Sequence, residues 1–202
     1  MKNFYLFLIF FPLTFFSQKK KEFKIYGSLD AKVLIMKSFG NNFYNKTLQP
    51  LVGFGFGLNF LTNVKDFGLS FNYYFLKATG KYDQTNIYGS LSAPQMNLYE
   101  IDLFHQNKLG EDFLVEEFAG VSVYRVNSSF IYTSKNYSQG NTGFNFGSNL
   151  VYNLDPEGKQ QAFIGGKFNF YNAKIINENP EIQRFFSRAY FGSLILGYRF
   201  NF

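Results

Sequence analysis

Cysteine and tryptophan are absent from the 202-residue chain, and histidine occurs once. The first absence removes disulfide scaffolds, thiolate metal sites, cysteine nucleophiles and a lipidated N-terminal cysteine together. A single imidazole leaves little for a metal centre or for acid–base chemistry. Charge is also scarce, at 17% of residues. Beyond the N-terminus no run approaches the ~18 apolar residues of a membrane helix, and no helical period recurs. What fills the composition is 29 Phe and 15 Tyr beside 18 Gly, at a net charge of +6. That balance is foreign to soluble α/β enzymes and to disordered chains, and the length bounds the chain to one domain.

The N-terminus reads as an export signal. Met1, Lys2 and Asn3 supply one positive charge, and Phe4 to Phe16 form an apolar run too short to span ~30 Å of hydrocarbon as a helix. Pro12 and the polar Gln18 to Lys21 that follow argue against a buried core helix. Ser17 is the expected last residue of the signal, which divides the chain into a signal peptide, 1–17, and a barrel domain, 18–202. Phe15 stands where a small residue is usual before the cut.

The remainder alternates with period two. Phe23, Ile25, Gly27, Leu29, Ala31, Val33 and Ile35 form one face, and Lys24, Tyr26, Ser28, Asp30 and Lys32 the other. Val52, Phe54, Phe56, Leu58 and Phe60 repeat this opposite Gly53, Gly55, Gly57 and Asn59, as do Phe67 to Phe75 opposite Gly68, Ser70 and Asn72. Weaker strands are expected at about 96–105, 113–126, 143–152 and 161–171, and a clear last one over 190–202, eight in all.

The connections alternate without exception: 37–49 long, 63–66 short, 77–95 long, 106–112 short, 127–141 long, 153–160 short and 172–188 long. An even strand count with alternating loops suits an up-and-down transmembrane barrel. A soluble sandwich or lipocalin also alternates; a lipocalin would turn its apolar face inward. In hydrocarbon an unpaired backbone group costs several kcal/mol, so strands cross only in a closed barrel with apolar side chains toward lipid. Tyr198, Phe200 and Phe202 at one end, and Tyr73, Phe75 and Tyr190 at the other, are expected as aromatic girdles.

The C-terminus, Gly197-Tyr198-Arg199-Phe200-Asn201-Phe202, places Gly197, Phe200 and Phe202 as glycine, aromatic, terminal aromatic. This resembles the assembly signal that the barrel-insertion machinery reads in bacterial outer-membrane proteins. Ile195 departs from it, standing where a polar residue is usual. With the Phe-rich leader and the Phe, Tyr and Asn content, residues 18–202 resemble the small outer-membrane β-barrels of Bacteroidota, PorT-like and OmpA-like in the broad sense. The resemblance implies an all-β, eight-stranded antiparallel barrel in the bacterial outer membrane, and neither cofactor nor catalytic residue.

With apolar faces outward, the lumen receives Lys24, Asp30, Lys32, Glu100, Asp102, Glu116, Lys167 and Arg199. The acids of strands four and five face the bases of strands one, seven and eight. This arrangement reads as an interior ion-pair network that plugs the barrel, or as a gated conduit or proton-binding pair. Glu100 and Asp102 have nothing else converging on them for acid–base work. His105 faces outward at the short-connection end, the wrong leaflet for an enzyme acting on lipid A. Gly53, Gly55 and Gly57 lie within a strand and are not a nucleotide loop. The sequons at Asn45, Asn127 and Asn136 fall in expected external loops.

The expected external loops sum to +2, +1, +1 and +1, and the internal turns to 0, −1 and −1. Lys37, Lys46, Lys77, Lys81, Lys135, Lys174, Arg184 and Arg188 form a basic outer rim, with lipopolysaccharide phosphates as natural counter-ions. The bases are dispersed rather than striped, which argues against nucleic acid. The expectation is a monomeric barrel with a structural or interaction role toward outer-membrane lipid, lipopolysaccharide or a protein partner. Rival readings are an outer-leaflet lipid-modifying enzyme and a narrow channel.

Overall fold

The computed structural model describes residues 23–63, 66–81, 91–130, 136–173, 176 and 178–202. The expected signal, 1–17, lies outside these. Eight strands form one closed sheet: β1 (Ile25–Ser38), β2 (Leu51–Thr62), β3 (Phe67–Lys77), β4 (Leu91–Lys108), β5 (Phe113–Phe130), β6 (Asn136–Asn153), β7 (Gln160–Asn172) and β8 (Arg188–Asn201). Each strand is antiparallel to the next, and β8 pairs with β1 to close the barrel. Closure satisfies every edge, which is the condition for strands in a medium without water. The all-β up-and-down barrel expected from the alternation is therefore the fold.

Register fixes the shape. The residues paired in turn with Ser28 are Asn59, Ser70, Asp102, Gly120, Asn145, Asn169 and Phe191, and the row returns to β1 at Ser38, ten residues above its start. Eight strands with that stagger tilt by roughly 35–45° and leave an interior just wide enough for side chains. Every residue of the row except Gly120 is buried. The same parity turns Leu29, Val33, Phe54, Phe56, Ile101, Leu103, Val121, Phe144, Ile164, Leu194 and Leu196 outward, where each is about half exposed. The apolar face is thus the outer wall.

The tight connections all lie at one end, 63–66, 109–112 and 154–159, and glycines at left-handed φ turn two of them, Gly110 (φ +115°) and Gly158 (φ +66°). The opposite end carries the longer connections, and here the expectation needs two corrections. Strands β4, β5 and β6 run to 18 residues each, so 127–130 and 136–141, expected within a loop, are paired strand that projects past its neighbours. Two short helices also form where none was expected: α1 (Phe43–Thr47), capped by Asn42, and α2 (Pro180–Ser187), capped by Asn179 with proline in its first turn. Ala93, at φ +33° before Pro94, accompanies the register shift between Ser92 and Gln95 in β4.

Candidate functional site: the filled lumen and the outer rim

The lumen is layered. Near the short-turn end, Arg199 on β8 reaches across to two carboxylates at once. Its Nε donates to Asp30 Oδ1 at 2.7 Å and its Nη1 to Glu116 Oε2 at 2.7 Å. The planar guanidinium suits this, because it presents donors in two directions and never loses its charge. Lys32 adds a bridge to Asp30 at 3.1 Å and donates to Asn72 Oδ1 at 2.6 Å. Gln106 and Asn149 occupy the remaining lone pairs of Glu116. Below this group a recess of about 200 Å³, lined by Tyr26, Gln106, Gln161 and Asn201, opens at the short-turn end.

In the middle layer Lys167 pairs with Glu100 at 2.6 Å, and Asn169 donates to the other Glu100 oxygen at 2.8 Å. The Lys167 ammonium lies 3.9 Å from the centroid of the Tyr74 ring, a cation–π contact. Tyr74 lies over Gly55, where a Cβ would stand 2.3 Å from its ring. Asp102 differs from its neighbours: it accepts from Asn72 at 2.9 Å and Asn145 at 2.7 Å but makes no direct ion pair among the described residues. The free space here is about 10 Å³, room for roughly one water.

The upper lumen is apolar. Leu34, Met36, Leu51, Leu76, Met96, Leu98, Val126 and Phe191 are buried together on inward positions. Helix α1 folds into the mouth above them. Tyr44 from that helix contacts Phe191 and Tyr124 at ring-centroid distances of 5.7 and 6.0 Å, and its hydroxyl lies 3.3 Å from those of Tyr124 and Tyr137. Burial holds the Tyr44 phenol well above the usual tyrosine range. Phe43 packs on Phe186 of α2 at 5.3 Å. This plug was missed in the sequence, because apolar residues on both faces of the upper strands blur the period. The departure at Ile195 belongs to it: the side chain faces inward, against the same apolar cluster.

Seven of the eight charges read from the sequence as luminal are buried inside the barrel. Lys24 is not. It precedes β1, is exposed at the short-turn end, and its backbone N–H donates to Asn63. Among the C-terminal residues, Gly197 faces inward under the Phe163 ring, while Phe200 and Phe202 face outward. The N–H of Phe202 donates to Gly27 at 2.9 Å.

At the long-loop end Lys37, Lys46, Lys77, Arg184 and Arg188 are exposed. Lys135 and Lys174 lie outside the described residues. Lys81 is tied down instead: its ammonium donates to the Asn45 carbonyl at 2.6 Å, fastening the second long loop to α1. Arg184 and Arg188 line an open recess of about 260 Å³ with Asn172 and Gln183. Arg125, unassigned by the sequence reading, also faces outward on upper β5, as its odd position in the strand period would have indicated.

His105 lies on the outer wall near the short-turn end, its ring tilted against Phe67 at a centroid distance of 4.6 Å, with Nδ1 3.2 Å from the Asn107 amide. No serine touches the ring among the described residues. Register places Glu117 beside it and Ser148 one strand further, the wrong order for an imidazole that must stand between carboxylate and hydroxyl.

No family model and no curated protein matches this sequence. Solved structures do. Neisserial surface protein A aligns over 90% of this chain and all of its own, at 15% identity and a TM-score of 0.57. A major outer membrane protein from Thermus thermophilus aligns over 88% and 99%, at 12% and 0.59. Ail, the attachment invasion locus protein of Yersinia pestis, in complex with the heparin analogue sucrose octasulfate, aligns over 90% and 100%, at 14% and 0.53. At these identities the likeness is one of fold, the fold of small outer-membrane β-barrels.

Proposed function

We propose that the chain is an integral protein of the bacterial outer membrane that acts through its external surface, not through its lumen, and has no enzymatic role. The observation that carries this is the pairing of an apolar outer wall with an interior occupied by ion pairs below and a tyrosine-rich plug above. The exposed bases Lys37, Lys46, Lys77, Arg184 and Arg188 face the medium beyond the wall, and lipopolysaccharide phosphates are their counter-ions. A polyanionic surface glycan would satisfy the same chemistry; Ail holds a heparin analogue in one of the similar structures. On this reading 1–17 is a cleaved export signal, Gly197, Phe200 and Phe202 serve the barrel-insertion machinery, and a protein partner would seat on the long loops.

The test is fractionation followed by gel electrophoresis with and without boiling, then lipopolysaccharide binding. The expected result is recovery in the outer membrane, migration that changes on heating, and binding that weakens with salt. Replacing Lys37, Lys46, Lys77, Arg184 and Arg188 with glutamine should lower that binding several-fold without changing heat-dependent migration. A soluble, unshifted protein would overturn the membrane reading; undiminished binding by the five-fold variant would overturn the rim.

A further inference from the structure

Among the described residues, the outer wall carries one carboxylate inside its apolar zone. Glu117 on β5 faces outward and is exposed, with Val115 and Phe113 below it and Ala119, Val121 and Val123 above it on the same face. Among the described residues it makes no hydrogen bond and no ion pair. An ionisable side chain facing hydrocarbon is disfavoured unless something meets it. Its lateral neighbours in the pairing row are His105 on β4 and Ser148 on β6, both also outward. The Nε2 of His105 has no partner among the described residues, since Nδ1 alone meets Asn107.

The stagger of ten residues over eight strands makes a pairing row climb only about 3 Å per strand. Glu117 and His105 therefore lie side by side at nearly one depth. Two copies in one membrane share the same orientation, so the two-fold axis relating them runs along the membrane normal. An axis passing between β4 and β5 then sets Glu117 of each copy opposite His105 of the other. An acid and a base adjacent at nearly one height are self-complementary under that operation. Ala119, just above, and Ser148, beside it, are small and permit the close approach that association within a membrane needs.

We infer that the β4–β5 wall is a homodimer interface in which Glu117 and His105 pair reciprocally across a two-fold axis. This goes beyond the surface role proposed above, resting only on its membrane placement. Because the chain has no cysteine, single thiols report the contact cleanly. In outer membranes treated with a short bismaleimide, Ala119→Cys should yield a covalent dimer. Val33→Cys, outward on the opposite wall, should not. Adding Glu117→Lys to Ala119→Cys should cut the yield at least several-fold, and adding His105→Glu to that pair should restore it. Equal yields at positions 119 and 33, or yields indifferent to Glu117→Lys, would overturn the dimer while heat-dependent migration shows the barrel still in the membrane. Loss of that migration in the single-thiol proteins would indict the membrane reading itself.

Discussion

At the scale of single residues, the interior charges are held by mutual satisfaction more than by attraction. Removing two ions from water costs several kcal/mol each, and the ion pair repays this only when the remaining lone pairs and protons are also met. Arg199 meets that condition, bridging Asp30 and Glu116 while Lys32, Gln106 and Asn149 bring further donors to the same carboxylates. Replacing it with methionine leaves two buried carboxylates without their shared cation. Arg199→Met is expected to cost about 3–5 kcal/mol, read as a lower urea midpoint for unfolding from detergent or vesicles. Adding Asp30→Asn and Glu116→Gln should recover much of that loss. These contacts were half-legible: the parity of each strand places the charges inside, but pairing Arg199 with Glu116 takes the cross-barrel distance. Lys24 was misplaced because parity says nothing about where a strand begins.

At the scale of elements, the two helices carry most of what sequence reading overlooked. Five and eight residues are too few for a helical period, although Asn42 and the Asn179-Pro180-Glu181 start are local capping signals. Helix α1 places Tyr44 in the mouth of the barrel, so truncating this side chain should open a cavity there. Tyr44→Ala is expected to lose about 3–5 kcal/mol, and Tyr44→Phe only about 1 kcal/mol with its hydroxyl contacts. The phenol also predicts an alkaline limit. Its folded pKa lies well above the unfolded value of 10.0, so the fold prefers the neutral ring. Stability from this group is intact below pH 10 and declines as pH rises past it. The unfolding midpoint should fall above pH 10 in the native protein and fall less in Tyr44→Phe.

For the whole molecule, the outer wall and the filled interior make separate predictions. Phe56 lies mid-strand on the wall, 59% exposed between Ala31 and Tyr73. Phe56→Lys is expected to cost roughly 2–4 kcal/mol in a bilayer, measured by reversible folding into vesicles. The same substitution in a water-soluble barrel would be close to neutral. Planar-bilayer recordings should show no steady conductance, because the apolar layer around Tyr44, Tyr124 and Phe191 closes the mouth above the charged layer. A stable open current would contradict the closed interior while leaving the wall untouched.

Alternation alone set the strand number, the inward and outward faces and the position of the tight turns, since a two-residue period leaves each side chain only two directions. It failed where both faces are apolar, in the upper halves of β1, β3 and β8, and there the plug went unseen. The length of β4 to β6 was hidden likewise, because polar residues on a projecting hairpin look like loop. Closure decided the rest. A stagger of ten residues sets which residues face across the lumen, and only that geometry brings Arg199 to Glu116 and Lys167 to Glu100.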